Sequence, residues 1–554
     1  MITQNHKNIT AAAAMVAALE KEGVSRIFGY PGAAICPFYD RLAGSAIRHV
    51  LVRSEQHAAH AAGGYARISG KTGVCVATSG PGATNLLTGI ASAYMDSIPL
   101  VAVTGQVRSD LLGRDVFQEV DITGSAEPFT KHSYLVSRAA DIPRVFREAF
   151  HIAASGRPGP VLIDVPVDIQ QKTLSDPHYD RPVDIIGYKP RIQGNPRQIK
   201  RAAEAMAEAK RPVICAGGGI FSAGAQELLA RLVQTTGMPV VTTMMGIGAL
   251  PSAAPLNLGM IGSHGCVPAN KALRDADLVI LAGARVGDRA MAAPGQVASR
   301  AKIIHIDVDP AEIGKNMSAH IPIVGDLAHI LSELLTPGEE IPGGLPRTPE
   351  EWAAIVTDRK ARYAAKSIPE ITGYVEPKSF MRMLSRKMAD NAILCADVGQ
   401  NQIWSANNYA VGPGGRFLTS GGLGTMGYAI PCAAGAKSAA PERQVCAVCG
   451  DGGFQMSMSE LGTINQEQLG VKIVVMRNGR LGMVREMQDN QYQSVHSAVS
   501  LDGSPDFVKI AEAYGFGAQR VSNNAAAEAA ADQMLADDRP FLLECIVPED
   551  YPSL

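Results

Sequence analysis

The chain has 554 residues, 46% hydrophobic and 19% charged, a composition that excludes a disordered or fibrous protein. That length suggests three or four domains, each able to bury its own core. With 51 basic and 53 acidic residues the formal charge is −2, so nothing in the balance points to nucleic acid or an anionic membrane surface, and an anionic ligand must be held by a local site.

In chain order, the first element is AAAAMVAAL (11–19). Glu20, Lys21 and Glu22 follow it and Asn8 or Thr10 can cap it, so it reads as an amphipathic helix covering a sheet, not as a signal segment. No apolar run is long enough to span a bilayer, and the expected location is the cytoplasm. Apolar, strand-like runs then alternate with Ala-rich helical segments throughout, which is the α/β pattern. Residues 1–170 form a first domain closing on the strand PVLIDVPVDI (160–169), and a polar, Pro-containing linker follows. A second unit, 190–336, contains PVICAGGG, MPVVTT, DLVILAGAR and AKIIHIDVDP. TPGEEIPGGLPRTPEE (336–351) reads as an exposed connector, and a third domain covers 373–554. The fold class is three α/β domains, each a mainly parallel sheet flanked by helices, the middle one Rossmann-like.

The first and third regions echo each other. TGVCVATSGPG (72–82) and RQVCAVCGDGG (443–453) are apolar strands running into Gly-rich turns, and each is followed at the same spacing by a second strand, LVAVTG or VKIVVMRNG. All βαβ units share this period, but the matched turns suggest two related ligand-binding halves around a different middle domain. Of nine cysteines, Cys75, Cys215, Cys446 and Cys449 lie in apolar runs as buried thiols. Cys446 and Cys449 form one C-x-x-C without a second pair, so no zinc site or disulfide framework is indicated.

The chemistry begins at Gly450, Asp451, Gly452 and Gly453, between an apolar strand and a helical stretch. Amides at such a place suit phosphate, but no Lys follows, so this is not a P-loop. An Asp inside a phosphate cradle repels its ligand unless a cation intervenes, which implies Mg²⁺. GDGG alone is equally compatible with a plain tight turn. Asn478 lies 27 positions after Asp451, at the end of the next strand, and one crossover returns it beside Asp451. With the Arg480 carbonyl these make a small hard-cation site. Glu55, in RSEQHAAHAAGGYAR (53–67), follows a strand and opens an Ala-rich helix, where an acid can also serve as a helix cap.

GDG followed after 25 residues by Asn is the motif of thiamine-diphosphate enzymes, and the chain resembles the acetohydroxyacid (acetolactate) synthase catalytic subunits over nearly its whole length. Further landmarks are GYPGAA (29–34), SGPGATNL (79–86), FQEVD (117–121), SGRPGPVLIDVP (155–166), HIDVDPAEIGKN (305–316) and RLGMV (480–484), which contains Met483. The resemblance implies that Glu55 drives the imino tautomer of the cofactor's aminopyrimidine, through which the thiazolium carbon loses its proton. It implies that Met426 and Gly424 in GGLGTMGYAIP (421–431) hold the bent cofactor, and that Gln400 and Gln402 contact the diphosphate, with Asn401 in place of the family's His. Phe117 and Gln118 then line the substrate pocket. Arg157, Gly217, Gly218, Gly219, the segment from His264 to Arg285, Asp307 and Asp326 match contacts to a structural, non-redox FAD, although GGGIFSAG lacks true GxGxxG spacing.

The expected reaction is decarboxylation of pyruvate and carboligation to a second 2-ketoacid, pyruvate or 2-ketobutyrate, in branched-chain amino-acid synthesis. Arg289 in RVGDR (285–289) matches the Arg that pairs with the acceptor carboxylate. Val167 and Met487 replace a Lys and a Trp of the family beside the acceptor channel. The alternative is another thiamine enzyme, a pyruvate oxidase or a 2-ketoacid decarboxylase. The His-His pair of the pyruvate-type decarboxylases is absent from the sequence. The resemblance also implies a homodimer or homotetramer, Glu55 of one chain meeting Asp451 and Asn478 of another, and raises a small regulatory subunit as a partner.

Overall fold

The computed structural model describes residues 8–175, 177–336 and 344–554. The N-terminal segment is the helix Ala11–Lys21. Thr10 caps it by accepting the Ala13 N–H at 3.2 Å, and Met15 and Leu19 are buried in the first core. No helix among the described residues is long and apolar enough to cross a membrane.

The apolar runs form three six-stranded parallel sheets. From edge to edge the first contains Arg48–Leu51, Arg26–Gly29, Gly73–Ala77, Leu100–Gln106, Pro160–Pro166 and His132–Leu135. The third contains Arg416–Leu418, Ile393–Ala396, Val445–Gly450, Val471–Arg477, Phe541–Ile546 and Gly517–Val521. Numbered in chain order within each sheet, both run 2-1-3-4-6-5, so the echo between the two Gly-rich turns is an identity of topology. The middle sheet contains Asn257–Met260, Val240–Thr242, Pro212–Ala216, Leu278–Ala282, Lys302–Asp307 and Ile321–Val324. Its order, 3-2-1-4-5-6, is that of dinucleotide-binding sheets.

Helices cover both faces of each sheet, which is why the strands read as unbroken apolar runs. In the first sheet Val101 and Val103 face Met15, Phe38 and Phe146, while Leu100 and Ala102 face Ala58, Leu86 and Ile90. The outer domains meet through two helices, Glu55–Ser69 and Ala429–Ala439, at backbone distance. A Cβ on Gly64 would stand 2.2 Å from the Cys432 carbonyl oxygen.

Two expectations change. The strand expected over 160–169 ends at Pro166, and Val167–Gln171 is helical. Gln170 turns inward to donate to the Ala34 and Val165 carbonyls, and Asp168 accepts from Ser109, so the apolar run conceals a turn. Part of the connector, 337–343, lies outside the described residues. Thr348 is buried and its N–H donates to the Thr236 carbonyl at 2.7 Å, whereas Arg347 and the residues 349–351 are exposed as expected, and the chain is anchored just beyond them. Trp352 of the helix Glu350–Ala364 donates to the Pro212 carbonyl at 3.0 Å and is buried against the middle sheet.

Candidate cofactor site

In the third sheet the strand order reverses between Ile393–Ala396 and Val445–Gly450, the crevice where open α/β sheets take ligands. Asp451 stands there, 1% exposed. Its Oδ1 accepts the Gly452 N–H at 3.0 Å and its Oδ2 accepts the Gly479 N–H at 2.7 Å. The crossover therefore returns the Asn478 loop to Asp451. Burial pushes this carboxyl up to about 6, against the pull of the two N–H groups. Asn478 Oδ1 accepts the Arg480 N–H at 3.0 Å. Among the described residues no three His, Cys, Asp or Glu side chains cluster as metal ligands. The donor set here is one carboxylate with amide and backbone oxygens, which fits Mg²⁺ sharing phosphate oxygens and does not fit zinc.

The glycines of the turn have separate reasons. A Cβ on Gly452 would enter the space between Leu481 and Met426, 3.3 Å from the Met426 Cε, whereas one on Gly453 would lie 2.6 Å from Asp397 Oδ1. Met426 thus lies against the turn. Gly424 is exposed with φ 75°, a left-handed conformation that favours glycine. Met483, half-buried, lies on the helix Gly482–Gln491 that follows the Asn478 loop.

The two glutamines are differently used. Gln400 donates to the Tyr551 carbonyl at 2.8 Å and accepts from Asn478 Nδ2 at 3.0 Å, and Gln402 is buried with its Nε2 on Thr419 Oγ1 at 2.7 Å. Each amide nitrogen has one of its two N–H groups engaged within the chain, and the two side chains, two apart on the helix Gln400–Asn408, leave it on different sides. Asn401 likewise donates to the Asp397 and Val448 carbonyls. Asp397 escapes a reading of motifs. Fully buried and pushed up to about 6 by that burial, it accepts the N–H groups of Val398, Gly427 and Ala429, each at 2.9 Å. Its signal was an Asp directly after an apolar strand, like Asp451.

Glu55 opens the helix Glu55–Ser69. Its Oε2 accepts from Asn85 Nδ2 at 3.0 Å, on the neighbouring helix Pro81–Met95, so this bond is not a cap on its own helix. Its flanks are held from the third domain. Buried Glu460 accepts the Arg53 N–H at 2.7 Å and bonds His57 Nδ1 at 2.9 Å. Within one chain Glu55 is bonded to Asn85, not to the Asp451–Asn478 cluster. Phe117 is 87% exposed and Gln118 is left-handed, with φ 59°.

In the middle domain the order reverses between Pro212–Ala216 and Leu278–Ala282. Gly217 and Gly219 there serve close packing, since a Cβ on Gly217 would stand 2.1 Å from the Gly283 oxygen, and Gly218 borders Met245. Arg285 is half-buried, lowered first by burial and then by Arg157. Arg157 donates to Ser97, Glu312 and Asp309. Asp307, buried and pushed up to about 6 by burial, accepts the Asp309 N–H. Asp326 is committed elsewhere: it caps the helix Leu327–Leu335 through the His329 N–H at 3.0 Å. The His264 carbonyl accepts from Asn407, and its ring is lowered by burial and then by Arg289, whose side chain is 74% exposed.

Three family models match the chain: the N-terminal TPP binding domain of thiamine pyrophosphate enzymes over 9–125, their central domain over 199–334 and their C-terminal TPP binding domain over 397–545. A probable acetolactate synthase large subunit of Methanocaldococcus jannaschii is 46% identical, covering 97% of this chain and 91% of its own. The acetolactate synthase of Arthrospira platensis is 43% identical (99% and 96%), and the acetolactate synthase large subunit of Corynebacterium glutamicum 44% (98% and 88%).

Proposed function

The chain belongs to the acetolactate synthase family of thiamine-diphosphate enzymes, with that family's activity, and we propose how its residues divide the work. Two pyruvate ions and one proton give 2-acetolactate and CO₂: the donor's C1–C2 bond breaks, and its carbonyl carbon bonds the acceptor's. Thiamine diphosphate, when bound, supplies the carbon nucleophile and the electron sink for this exchange.

Asp451, the Asn478 amide oxygen and the Arg480 carbonyl hold Mg²⁺ against the diphosphate, and Met426 supports the bend. Glu55 holds a proton at the pyrimidine nitrogen. Gln118 donates its amide to substrate oxygen, and Arg289 takes the carboxylate of the acceptor, pyruvate or 2-ketobutyrate. In the middle domain Arg285, with Asp307 in its electrostatic reach, would serve the pyrophosphate, and Gly218 and His264 would serve as further contacts, of an FAD that acts by structure alone. Phe117, 87% exposed, is an apolar side chain without cover within the chain, which a second copy bringing its own Asp451 and Asn478 to Glu55 would provide. The relatives' designation as large subunits supports a small regulatory partner. Nine free cysteines, eight of them buried, suit the cytoplasm.

The observation that carries this reading is the Asp451 carboxylate, buried beside the Asn478 loop, with Met426 close to the adjoining Gly452. Purified protein with pyruvate, thiamine diphosphate and Mg²⁺ should form acetolactate, detected as acetoin after acid treatment. Acetaldehyde or peroxide as the main product would instead identify a decarboxylase or an oxidase.

A further inference from the structure

The segment 421–431 connects all three domains, and one side chain that no motif singles out holds its start. Asp96 follows the last turn of the helix Pro81–Met95 in the first domain. Its Oδ2 accepts the Gly421 N–H at 3.2 Å and its Oδ1 the Gly422 N–H at 2.7 Å, both in the third domain. An acid at a helix C-terminus opposes the helix dipole, so this placement is locally unfavourable and needs a distant reason. The next residue, Ser97, is left-handed, φ 55°, and its hydroxyl accepts from Arg157.

The neighbours leave little room for a side chain at either glycine, least at Gly422. A Cβ on Gly422 would stand 2.8 Å from the Met95 Cβ, and one on Gly421 would stand 2.4 Å from the Met245 sulfur of the middle domain. Arg67 donates to the Thr419 carbonyl and the Tyr428 hydroxyl; burial raises the Asp96 carboxyl, against the pull of the Arg67 charge, the Gly422 N–H and the Arg285 charge. At the far end Asp397 holds Gly427 and Ala429. The stretch carrying Gly424 and Met426 is therefore strung between two carboxylates from different domains.

We propose that Asp96 is a positioning residue for the cofactor segment: by binding the Gly421 and Gly422 N–H groups across the domain boundary it fixes where Met426 stands over Gly452. This rests on reading 421–431 as the cofactor segment. Amide hydrogen exchange of the cofactor-free protein tests it, read on peptides covering 419–428, in the parent, Asp96→Ala and Asp96→Asn. The Ala variant should exchange at Gly421 and Gly422 about tenfold faster or more, with the strand Leu100–Gln106 still protected, and should bind thiamine diphosphate about tenfold more weakly at fixed Mg²⁺. Asn keeps one acceptor oxygen and should fall between. Parent-like exchange at both glycines in Asp96→Ala, or faster exchange spread equally over Leu100–Gln106, overturns the proposal. If the Ala variant does not fold, Asp96→Asn with parent-like exchange overturns it and faster exchange confined to 419–428 supports it. Failure of the parent to bind thiamine diphosphate would defeat the cofactor reading itself, whereas the exchange result judges Asp96 independently.

Discussion

Gly80 and Gln118 meet with both backbones left-handed, each at φ 59°, so closely that a Cβ on Gly80 would lie 2.8 Å from the Gln118 Cβ. Gly80 also has ψ −125°, a conformation side chains avoid. Strain of this kind costs about 1–3 kcal/mol and persists where the surroundings enforce it. Gly80→Ala should displace Gln118 and lower kcat/KM for pyruvate by about tenfold or more. Parent-like kinetics would separate Gln118 from the substrate site.

The helix contact between the outer domains gives a prediction opposed to local propensity. In an open helix Gly→Ala stabilises by about 1 kcal/mol. At Gly64 the added methyl would lie 2.2 Å from the Cys432 oxygen, and overpacking of this kind costs about 1–3 kcal/mol. Gly64→Ala should therefore lower the Tm. A rise in Tm would show that the two helices yield.

How much of this was legible in the sequence follows from distance along the chain. Asp451 and Asn478 directly follow two adjacent strands of one crossover, so spacing alone brought them together. The shared strand order of the outer sheets shows only as a faint echo, because βαβ units share one period whatever their order. Gln400, Gln402 and Asp326 have the right residue types at the right places, yet their polar atoms are committed to Tyr551, Thr419 and a helix end. Asp96 and Glu460 act on partners more than 300 residues away, and no local pattern encodes such a contact.

A pH dependence arises at Asp164, buried in the first sheet, where Thr104 donates to Oδ1 at 2.7 Å and Gln106 to Oδ2 at 2.9 Å. Burial outweighs these bonds and pushes the carboxyl up to about 7. The folded chain then holds this proton more tightly than the unfolded one, so the site's contribution to stability is full below about 4 and is lost as pH rises through about 7. Asp164→Asn removes the titration. The Tm of the Asn variant relative to the parent should rise between pH 5 and pH 8, whatever its sign at either end, and a constant difference would contradict the assignment.

Glu55→Gln should keep the Asn85 hydrogen bond, because Gln offers the same acceptor oxygen. It cannot exchange a proton with the pyrimidine nitrogen, so kcat should fall by about a hundredfold or more while calorimetric affinity for thiamine diphosphate stays near the parent's. Near-parent turnover would make Glu55 a structural residue.

The acceptor step separates carboligation from simple decarboxylation, and Arg289 is the side chain proposed to serve it. Its backbone is fixed: the carbonyl accepts the Ser263 N–H at 2.9 Å, and Gly262 passes so close that a Cβ there would stand 2.1 Å from that oxygen. Its guanidinium is 74% exposed, with Asp288, itself 90% exposed, at 3.7 Å. Such a surface pair contributes little, so a carboxylate arriving in a partly desolvated channel can displace it. A charge-assisted bond of that kind is worth about 1.5–3 kcal/mol, or about one to two decades. Arg289→Ala should raise the acceptor's apparent KM by that factor or divert product to acetaldehyde, with CO₂ release nearly intact. Met487, 42% exposed on the helix Gly482–Gln491, would give a softer wall than an indole in the proposed acceptor channel. Preference for 2-ketobutyrate over pyruvate should accordingly be weak in the parent. Competition between the two acceptors, scored as acetohydroxybutyrate against acetolactate, decides both points. An unaltered KM and product ratio in Arg289→Ala removes Arg289 from the acceptor site, and a strong 2-ketobutyrate bias in the parent refutes the role given to Met487.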